Sequence, residues 1–156
     1  MDYIFDIYLL SDQFIKAYPF SEYPELMNKQ ARPYNCLLID SHEDYFICVP
    51  YRTSINHNNA YHFKNSKRSR IAKSGLDYSK IVIIKDTSYL STDIAVIDQD
   101  EYRETLANMN RITNEVLHYV DQYILHVRGI SILHDREFDR LYRYATLQYF
   151  HNELGI

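Results

Sequence analysis

Apolar residues in the first two thirds of the chain fall into short runs that predict β-strands. These runs are residues 3–10, 34–39, 45–49, 81–84 and 94–97. A short polar connection, residues 40–44, joins the second and third runs and predicts a hairpin. Pro50 is expected to end the third strand and to turn the chain into a loop. Pro19 and Pro24 limit the stretch between the first two strands to short helices.

In the C-terminal third, apolar residues recur at the spacing of α-helices instead. Asp98 followed by Glu101 predicts a capped helix start, and Gly129 predicts the end of that helix. Its inward face is expected to carry Leu106, Met109, Thr113, Val116, Leu117, Val120, Ile124 and Val127. A second helix is expected over residues 133–154, and the charged residues of both helices are expected to face solvent.

Strands followed by helices predict a single α+β domain over residues 1–156. The antiparallel strand signals favour a small, curved, barrel-like sheet, with short N-terminal helices and two long C-terminal helices. A chain of this length, with 46% hydrophobic residues, buries one core without covalent cross-links.

The sequence also predicts a cytoplasmic protein. Cys36 and Cys48 both lie inside predicted strands, as buried free thiols of a reducing compartment do. The N-terminus has no basic region before an apolar run, and no apolar segment approaches membrane-spanning length.

Positive charge is concentrated in one segment, although the whole chain carries a formal charge of -4. Between Val49 and Leu76 there are six basic residues and no Asp or Glu. They are Arg52, Lys64, Lys67, Arg68, Arg70 and Lys73. Positive charge interleaved with tyrosine, histidine and hydroxyl groups suits a polyanionic partner with bases to stack, which predicts RNA.

Several groups that RNA cleavage requires occur together in this segment. Attack by a 2′-hydroxyl needs a proton acceptor, donors to the phosphate oxygens and an acid for the leaving oxygen. We predict that Arg52, Thr53, Ser54 and His57 supply these functions. Taken singly, the hydroxyl residues are also common turn formers, and the histidine and arginine are common surface groups.

We expect further RNA contacts from aromatic, amide and basic side chains around this cluster. They are Tyr51, Asn56, Asn58, Lys64, Lys67, Arg68, Arg70, Lys73 and Lys80. No cofactor or catalytic metal is expected, because the chain lacks a glycine-rich phosphate loop and a zinc-binding histidine pattern. His57 and His62 are five positions apart in a segment without carboxylates, and we expect the phosphate-binding site to contain no acidic side chain.

Two stretches of the sequence resemble a known family. The run P-Y-R-T-S-I-N-H-N-N-A-Y-H-F-K-N-S at residues 50–66 and the run G-L-D-Y-S-K-I-V-I-I at residues 75–84 carry the resemblance. Both are similar to segments of the ToxN/AbiQ-like endoribonuclease toxins of type III toxin–antitoxin systems, and most closely to the CptN/TenpN branch. The Thr-Ser pair and the Gly-Leu-Asp-Tyr-Ser-Lys segment are the most distinctive parts.

The resemblance implies a compact, strongly bent antiparallel sheet with helices, similar to the MazF and Kid ribonucleases. The implied activity is metal-independent RNA cleavage that leaves a 2′,3′-cyclic phosphate. It also implies that the inhibitor is an antitoxin RNA, a repeated pseudoknot that the protein excises and then binds in a closed protein–RNA assembly. The number of copies in the assembly stays open, as does the cleavage sequence.

Carried over by position, the Thr-Ser pair of the family corresponds to Thr53 and Ser54, and a basic residue of the family corresponds to Arg32. The lysines that follow Thr-Ser in the family are absent here, so Arg52 or Arg32 is expected to supply the cation. Which group is the general base and which the general acid stays open.

Two other functions stay open for this sequence. A non-catalytic RNA-binding regulatory module would use the same basic loop without cleaving the strand. A protein–protein interaction domain would use the tyrosine-rich faces of the C-terminal helices.

Overall fold

The computed structural model describes residues 7–26, 35–91, 93 and 95–156, which form an antiparallel six-stranded sheet and six α-helices. The strands are β1 (Ile7–Leu9), β2 (Asn35–Asp40), β3 (Phe46–Arg52), β4 (Ala60–His62), β5 (Gly75–Asp77) and β6 (Val82–Ile84). The helices are α1 (Asp12–Ala17), α2 (Lys67–Ala72), α3 (Gln99–Ala107), α4 (Met109–Val127), α5 (Asp135–Tyr142) and α6 (His151–Leu154). Three 3₁₀ turns cover Tyr78–Lys80, Thr87–Tyr89 and Thr146–Tyr149. The predicted α+β class is confirmed.

The predicted hairpin is formed by β2 and β3. Asp40 pairs with Phe46 next to the turn, where His42 adopts a positive φ of 64° and donates its backbone amide to the Asp40 carboxylate. Cys48 pairs with Leu38, so the two cysteines do not face each other; both are buried, and neither forms a disulfide.

The central strand, β3, carries two separate ladders on its second edge. Its first half pairs with β6 up to Cys48–Val82, and its end pairs with β5 from Tyr51–Leu76. The register differs by three residues between the ladders, and the 3₁₀ turn Tyr78–Lys80 supplies those three residues. Pro50 lies in the gap between the ladders, which is where a strand tolerates a residue without an N–H. The prediction that Pro50 ends the strand was therefore wrong.

The sheet is open in the described part of the chain. Its order is β1-β2-β3-β5-β4, with β6 also pairing with β3, and the edge strands β1 and β4 do not pair with each other. The expected small barrel is therefore not confirmed. Residues 95–97 form no strand, contrary to the prediction for 94–97; instead, Leu10 forms an isolated bridge with Leu90.

The first predicted C-terminal helix exists as two helices that meet at Asn108. Asp98 caps α3 by accepting from the amides of Asp100 and Glu101, and Gly129 follows α4 with a φ of 73°. Even α4, which has 19 residues, lacks the apolar character of a membrane span, and the other described helices are shorter.

The second predicted helix, residues 133–154, is wrong as one continuous element. It divides into α5, the 3₁₀ turn Thr146–Tyr149 and α6. The buried Thr146 hydroxyl donates to the backbone oxygens of Ser79 and Ile81. These bonds join the interruption between β5 and β6 to the interruption of the helix, so tertiary contacts override the helical pattern here.

Candidate functional site

The candidate site begins at the end of β3, where Arg52 pairs with Gly75 of β5. A loop of residues 53–59 then leads to β4. Gly75 permits close packing at this point, because a Cβ there would lie 2.3 Å from the Tyr61 backbone oxygen of β4. The three strands thus bring the loop, β4 and Asp77 at the end of β5 together.

A buried carboxylate, Asp77, lies at the centre of the site. Its Oδ2 accepts from Arg52 Nη1 at 2.7 Å, and His57 Nε2 lies 3.2 Å from Oδ1 and 3.3 Å from Oδ2. Oδ1 also accepts from the Ser79 amide at 3.0 Å and from the Ser79 hydroxyl at 2.6 Å. The side chain is 0% exposed. The basic segment has no acid in sequence, but the folded site has one, so the expectation of an acid-free site was wrong.

Opposing effects set the pKa of Asp77. Burial is the largest single influence and raises it, whereas the hydrogen bonds from His57, Ser79 and Arg52 and the charge of His57 lower it. Together the lowering effects win, so the pKa lies below the ordinary value of 3.8. Asp77 is therefore an anion at neutral pH and holds a cation beside it.

Both ring nitrogens of His57 have partners inside the protein. Nδ1 accepts from the Asn59 backbone amide at 3.1 Å, which places the proton of the neutral ring on Nε2, facing Asp77. The Ser79 hydroxyl lies 3.4 Å from the same Nε2. His62 donates from its own Nε2 to the His57 backbone oxygen at 2.8 Å and fixes the loop from β4.

The Thr-Ser pair lies on a loop that α2 holds in place. The Ser54 amide donates to the Ala72 backbone oxygen at 2.7 Å, and the Ile55 amide donates to Lys73 at 3.1 Å. Ser54 itself has a φ of 58°, a left-handed conformation that non-glycine residues rarely adopt. Among the described residues, the hydroxyls of Thr53 and Ser54 have no hydrogen-bond partner. They are therefore available to a ligand, although they form no hydrogen bond with Asp77, Arg52 or His57.

The basic stretch forms α2 instead of an irregular loop. Lys67, Arg68 and Arg70 are exposed on this helix, and Ser66 caps its start by accepting from the Ser69 amide at 2.8 Å. Lys73 ends it with a φ of 50°. The Lys73 ammonium donates to Asn56 Oδ1, in the loop of residues 53–59, at 3.0 Å. The helix and the loop therefore form one continuous basic surface.

Two carboxylates of α3 hold this basic segment from the inside. Glu101 accepts from the hydroxyls of Ser66 and Ser74, which flank α2, at 3.2 and 2.7 Å. Glu104 accepts from Tyr61 and from the backbone amides at positions 64 and 65. Both side chains are buried, so the prediction that the charges of this helix face solvent was wrong for them.

Other predicted site residues differ in accessibility. Tyr51 is buried, and its hydroxyl lies 2.9 Å from Thr105, so it is a core residue and not a ring for base stacking. Lys80 is only 13% exposed; it donates to the Tyr144 backbone oxygen at 3.1 Å. Burial lowers its pKa, against the opposing effect of Glu25 and Asp77.

The remaining predicted contacts, Asn56, Asn58 and Lys64, are exposed. Arg32 lies outside the described residues.

The sequence contains one signal for the missed carboxylate. Asp-x-Ser at residues 77–79 is a pattern that caps a turn, and it belongs to the distinctive Gly-Leu-Asp-Tyr-Ser-Lys run. Nothing in the sequence indicates its contacts with Arg52 and His57, which depend on the β3–β5 pairing.

An open cleft of about 540 Å³ lies elsewhere, between the start of α1 and the turn Thr87–Tyr89. Its lining includes Asp12, Asp93 and several serines, and it contains none of the predicted site residues. Its negative charge disfavours a phosphate ligand.

In the described part of the chain, no three His, Cys, Asp or Glu side chains converge as metal ligands would.

Known proteins do not assign this site. Comparison of the chain with protein-family models, with curated proteins and with solved structures gives no match, so its function has to be inferred from its own residues and geometry.

Proposed function

We propose that this protein is a metal-independent endoribonuclease of the ToxN/AbiQ-like kind, which cleaves RNA by attack of a 2′-hydroxyl on the adjacent phosphorus. One observation carries the proposal. Arg52 and His57 meet on the buried carboxylate of Asp77, at the base of a loop with two hydroxyls that have no hydrogen-bond partner among the described residues, and beside the exposed basic helix α2.

Arg52 is the group that stabilises the transition state in this mechanism. Among the described residues Asp77 engages only Nη1, so the other N–H groups of the guanidinium are able to donate to phosphate oxygens. The side chain is 34% exposed, and hence accessible to a ligand. One preorganised donor of this type supplies about 2.7–4 kcal/mol at a developing oxyanion.

His57 and the hydroxyls of Thr53 and Ser54 complete the mechanism. As the 2′-oxygen bonds to phosphorus, its proton passes to a base; the bond to the 5′-oxygen breaks, and that oxygen takes up a proton. Imidazole is the side chain that ordinarily exchanges protons near neutral pH. In this structure Nδ1 is occupied by the Asn59 amide, so substrate must displace that hydrogen bond before the ring takes part. The hydroxyls position the scissile phosphate.

The first prediction concerns Ser54→Ala and His57→Ala. Each change removes a group that contacts the reacting phosphate or moves its proton, so we expect strand cleavage to fall by at least about 100-fold while folding and RNA affinity are preserved. Initial cleavage rates on a labelled RNA, with circular dichroism and filter binding, measure all three properties. Ser131→Ala is the matched control, since Ser131 is also exposed and its hydroxyl has no described partner.

The chemistry is checked on the same RNA. Cleavage is expected to persist in EDTA and to leave a 2′,3′-cyclic phosphate, and a single 2′-deoxy substitution at the scissile nucleotide is expected to abolish it. Loss of activity in EDTA with recovery on adding a divalent ion would contradict the metal-free mechanism.

One observation favours the alternative of a non-catalytic RNA-binding regulatory module. Both His57 nitrogens are already engaged, as they would be in a purely structural histidine. That module binds RNA in a salt-dependent way and yields no product at any protein concentration, so the cleavage assay separates the two functions.

The partner and setting belong to the same proposal. We expect a repeated pseudoknot antitoxin RNA, excised and then bound in a closed assembly in the cytoplasm, and a relationship of the open sheet to the MazF and Kid fold. Purification with co-bound RNA of one short length and a cyclic phosphate end supports this partner; heterogeneous RNA argues against it.

A further inference from the structure

Two Asp residues in this chain make the same local turn. Asp77 and Asp86 each precede a 3₁₀ turn, and each accepts from the amide and the hydroxyl of the serine two positions later. The hydroxyl-to-carboxylate distance is 2.6 Å in both, and the amide-to-carboxylate distances are 3.0 and 2.9 Å. Capping therefore accounts equally for both.

Their surroundings differ. Asp86 is exposed, and among the described residues it has no cationic partner. Asp77 is fully buried and also engages Arg52 and His57. Burying a carboxylate is costly unless it is paired and hydrogen-bonded, and Asp86 shows that the cap does not require burial. The cap alone therefore does not explain why Asp77 is buried, and its additional contacts fix the positions of the Arg52 and His57 side chains.

We infer that Asp77 is a positioning residue for cleavage: it anchors the Arg52 guanidinium and fixes the His57 ring with the proton on Nε2. The inference rests on the proposed function. With Nε2–H directed at Asp77, Nδ1 is the nitrogen that carries the lone pair, and it exchanges the proton with the substrate once the Asn59 amide is displaced.

Replacing the carboxylate by an amide tests both roles. In Asp77→Asn, the oxygen that accepts from Ser79 and lies 3.2 Å from His57 Nε2 is retained, while an NH₂ group replaces the oxygen that accepts from Arg52 and lies 3.3 Å from the same nitrogen. An NH₂ group cannot accept from Arg52, and it competes with the Nε2 proton of His57, so the preference of the ring for the proton on Nε2 is weakened. Asp86→Asn makes the same chemical change at the matched cap.

The experiment combines ¹⁵N NMR of the histidine rings with cleavage kinetics. At about pH 9, where imidazole is ordinarily neutral, His57 of the wild type and of Asp86→Asn is expected to carry its proton on Nε2; a His57→Gln sample assigns the signal. In Asp77→Asn the fraction of rings with the proton on Nδ1 is expected to rise, although the Asn59 amide still opposes it. We expect kcat of this variant to fall by about 100-fold or more with KM changed by only a few-fold, and Asp86→Asn to retain both constants.

Each outcome decides the inference. Equal losses in the two variants, or wild-type kcat and an Nε2–H ring in Asp77→Asn, would overturn it. If Asp77→Asn does not fold, the wild-type spectrum decides, because a His57 proton on Nδ1 contradicts the assignment. If the wild type cleaves no RNA, the proposed function fails, while the tautomer comparison still tests whether Asp77 fixes the ring.

Discussion

Glu101 shows how single buried residues hold the basic surface of this protein. Its side chain is 2% exposed and accepts from Ser66 and Ser74, which are buried at the two ends of α2. Arg68 adds a longer contact, 3.5 Å from Nε to Oε2. These donors offset the cost of removing the carboxylate from water.

The prediction at this scale concerns Glu101→Ala. The change leaves two buried hydroxyls without their acceptor, so we expect the free energy of unfolding to fall by about 1–3 kcal/mol. Glu101→Gln, which keeps an acceptor, should lose less. Urea unfolding followed by circular dichroism measures both.

Asp100→Ala is the control, because Asp100 is the preceding residue in the first turn of α3 and is exposed in a surface pair with Arg103. A surface pair of this kind contributes about 0.2–1 kcal/mol. If both variants lost the same free energy of unfolding, the effect of Glu101 would be that of a negative charge in the first turn of α3, and its buried hydrogen bonds would contribute nothing.

The site residues differ in how far the sequence reveals them. Arg52 and His57 could be predicted, because their chemistry lies within one short segment. The roles of Asp77 and Glu101 could not, since they arise from the pairing of β3 with β5 and from the packing of α3 against residues 66–74. The local sequence pattern predicts that an acidic residue caps a turn or lies in a helix, but it does not predict which side chain that acidic residue contacts in the fold.

At the scale of elements, strands that consist of apolar runs were predictable, and strands of mixed composition were not. The sequence indicates β2, β3 and β6, whose residues are largely buried. It does not indicate β4 and β5, three residues each, which pair across Gly75 and form the floor of the site. Their strand character comes from their partners and not from their own composition.

The prediction at this scale concerns α2, the element that carries most of the basic surface. Replacing Lys67, Arg68 and Arg70 together by Gln removes three exposed cations. If each contacts a phosphate, RNA affinity becomes less salt-dependent, and the slope of log K against log salt falls in magnitude by about 2, at about 0.7 per contact on single strands.

Binding titrations between low and moderate salt measure this slope. The control replaces Lys16, Lys85 and Arg103 together by Gln. These three exposed residues lie on α1, directly after β6 and on α3, so the control removes the same total charge away from α2. An equal fall in slope for the control would assign the effect to net charge and not to α2.

At the scale of the whole molecule, the sixteen tyrosines are mainly a property of the core. Tyr119 and Tyr142 pack at 4.7 Å between ring centroids, and Tyr123 lies 5.1 Å from Tyr142. The hydroxyls of Tyr119 and Tyr142 donate to backbone oxygens, which satisfies them inside the protein. The sequence leaves open whether tyrosine serves the core or an RNA surface, because the residue type suits both.

This packing makes the fold sensitive to alkaline pH. Burial is the largest cause of a raised pKa at eight of the tyrosines. They are Tyr18, Tyr45, Tyr51, Tyr61, Tyr78, Tyr119, Tyr123 and Tyr142. For Tyr61, burial and the hydrogen bond to Glu104 raise the pKa to about 12.

The sign follows from proton binding. Tyrosines of the unfolded chain titrate near pH 10, so above that pH the unfolded state has lost protons that the folded state keeps. The stability is therefore complete below pH 10 and declines as pH rises towards the folded-state pKa values. The lowered pKa of Lys80 acts in the opposite direction, but it is one group against eight.

We therefore expect cooperative unfolding in the range above about pH 10, with tyrosinate absorbance near 295 nm rising together with the loss of secondary structure. Tyr61→Phe removes one of these protons, so the slope of unfolding free energy against pH should fall by about one proton equivalent. Tyrosinate absorbance that accounts for all sixteen tyrosines near pH 10, while circular dichroism stays native, would contradict a buried tyrosine core.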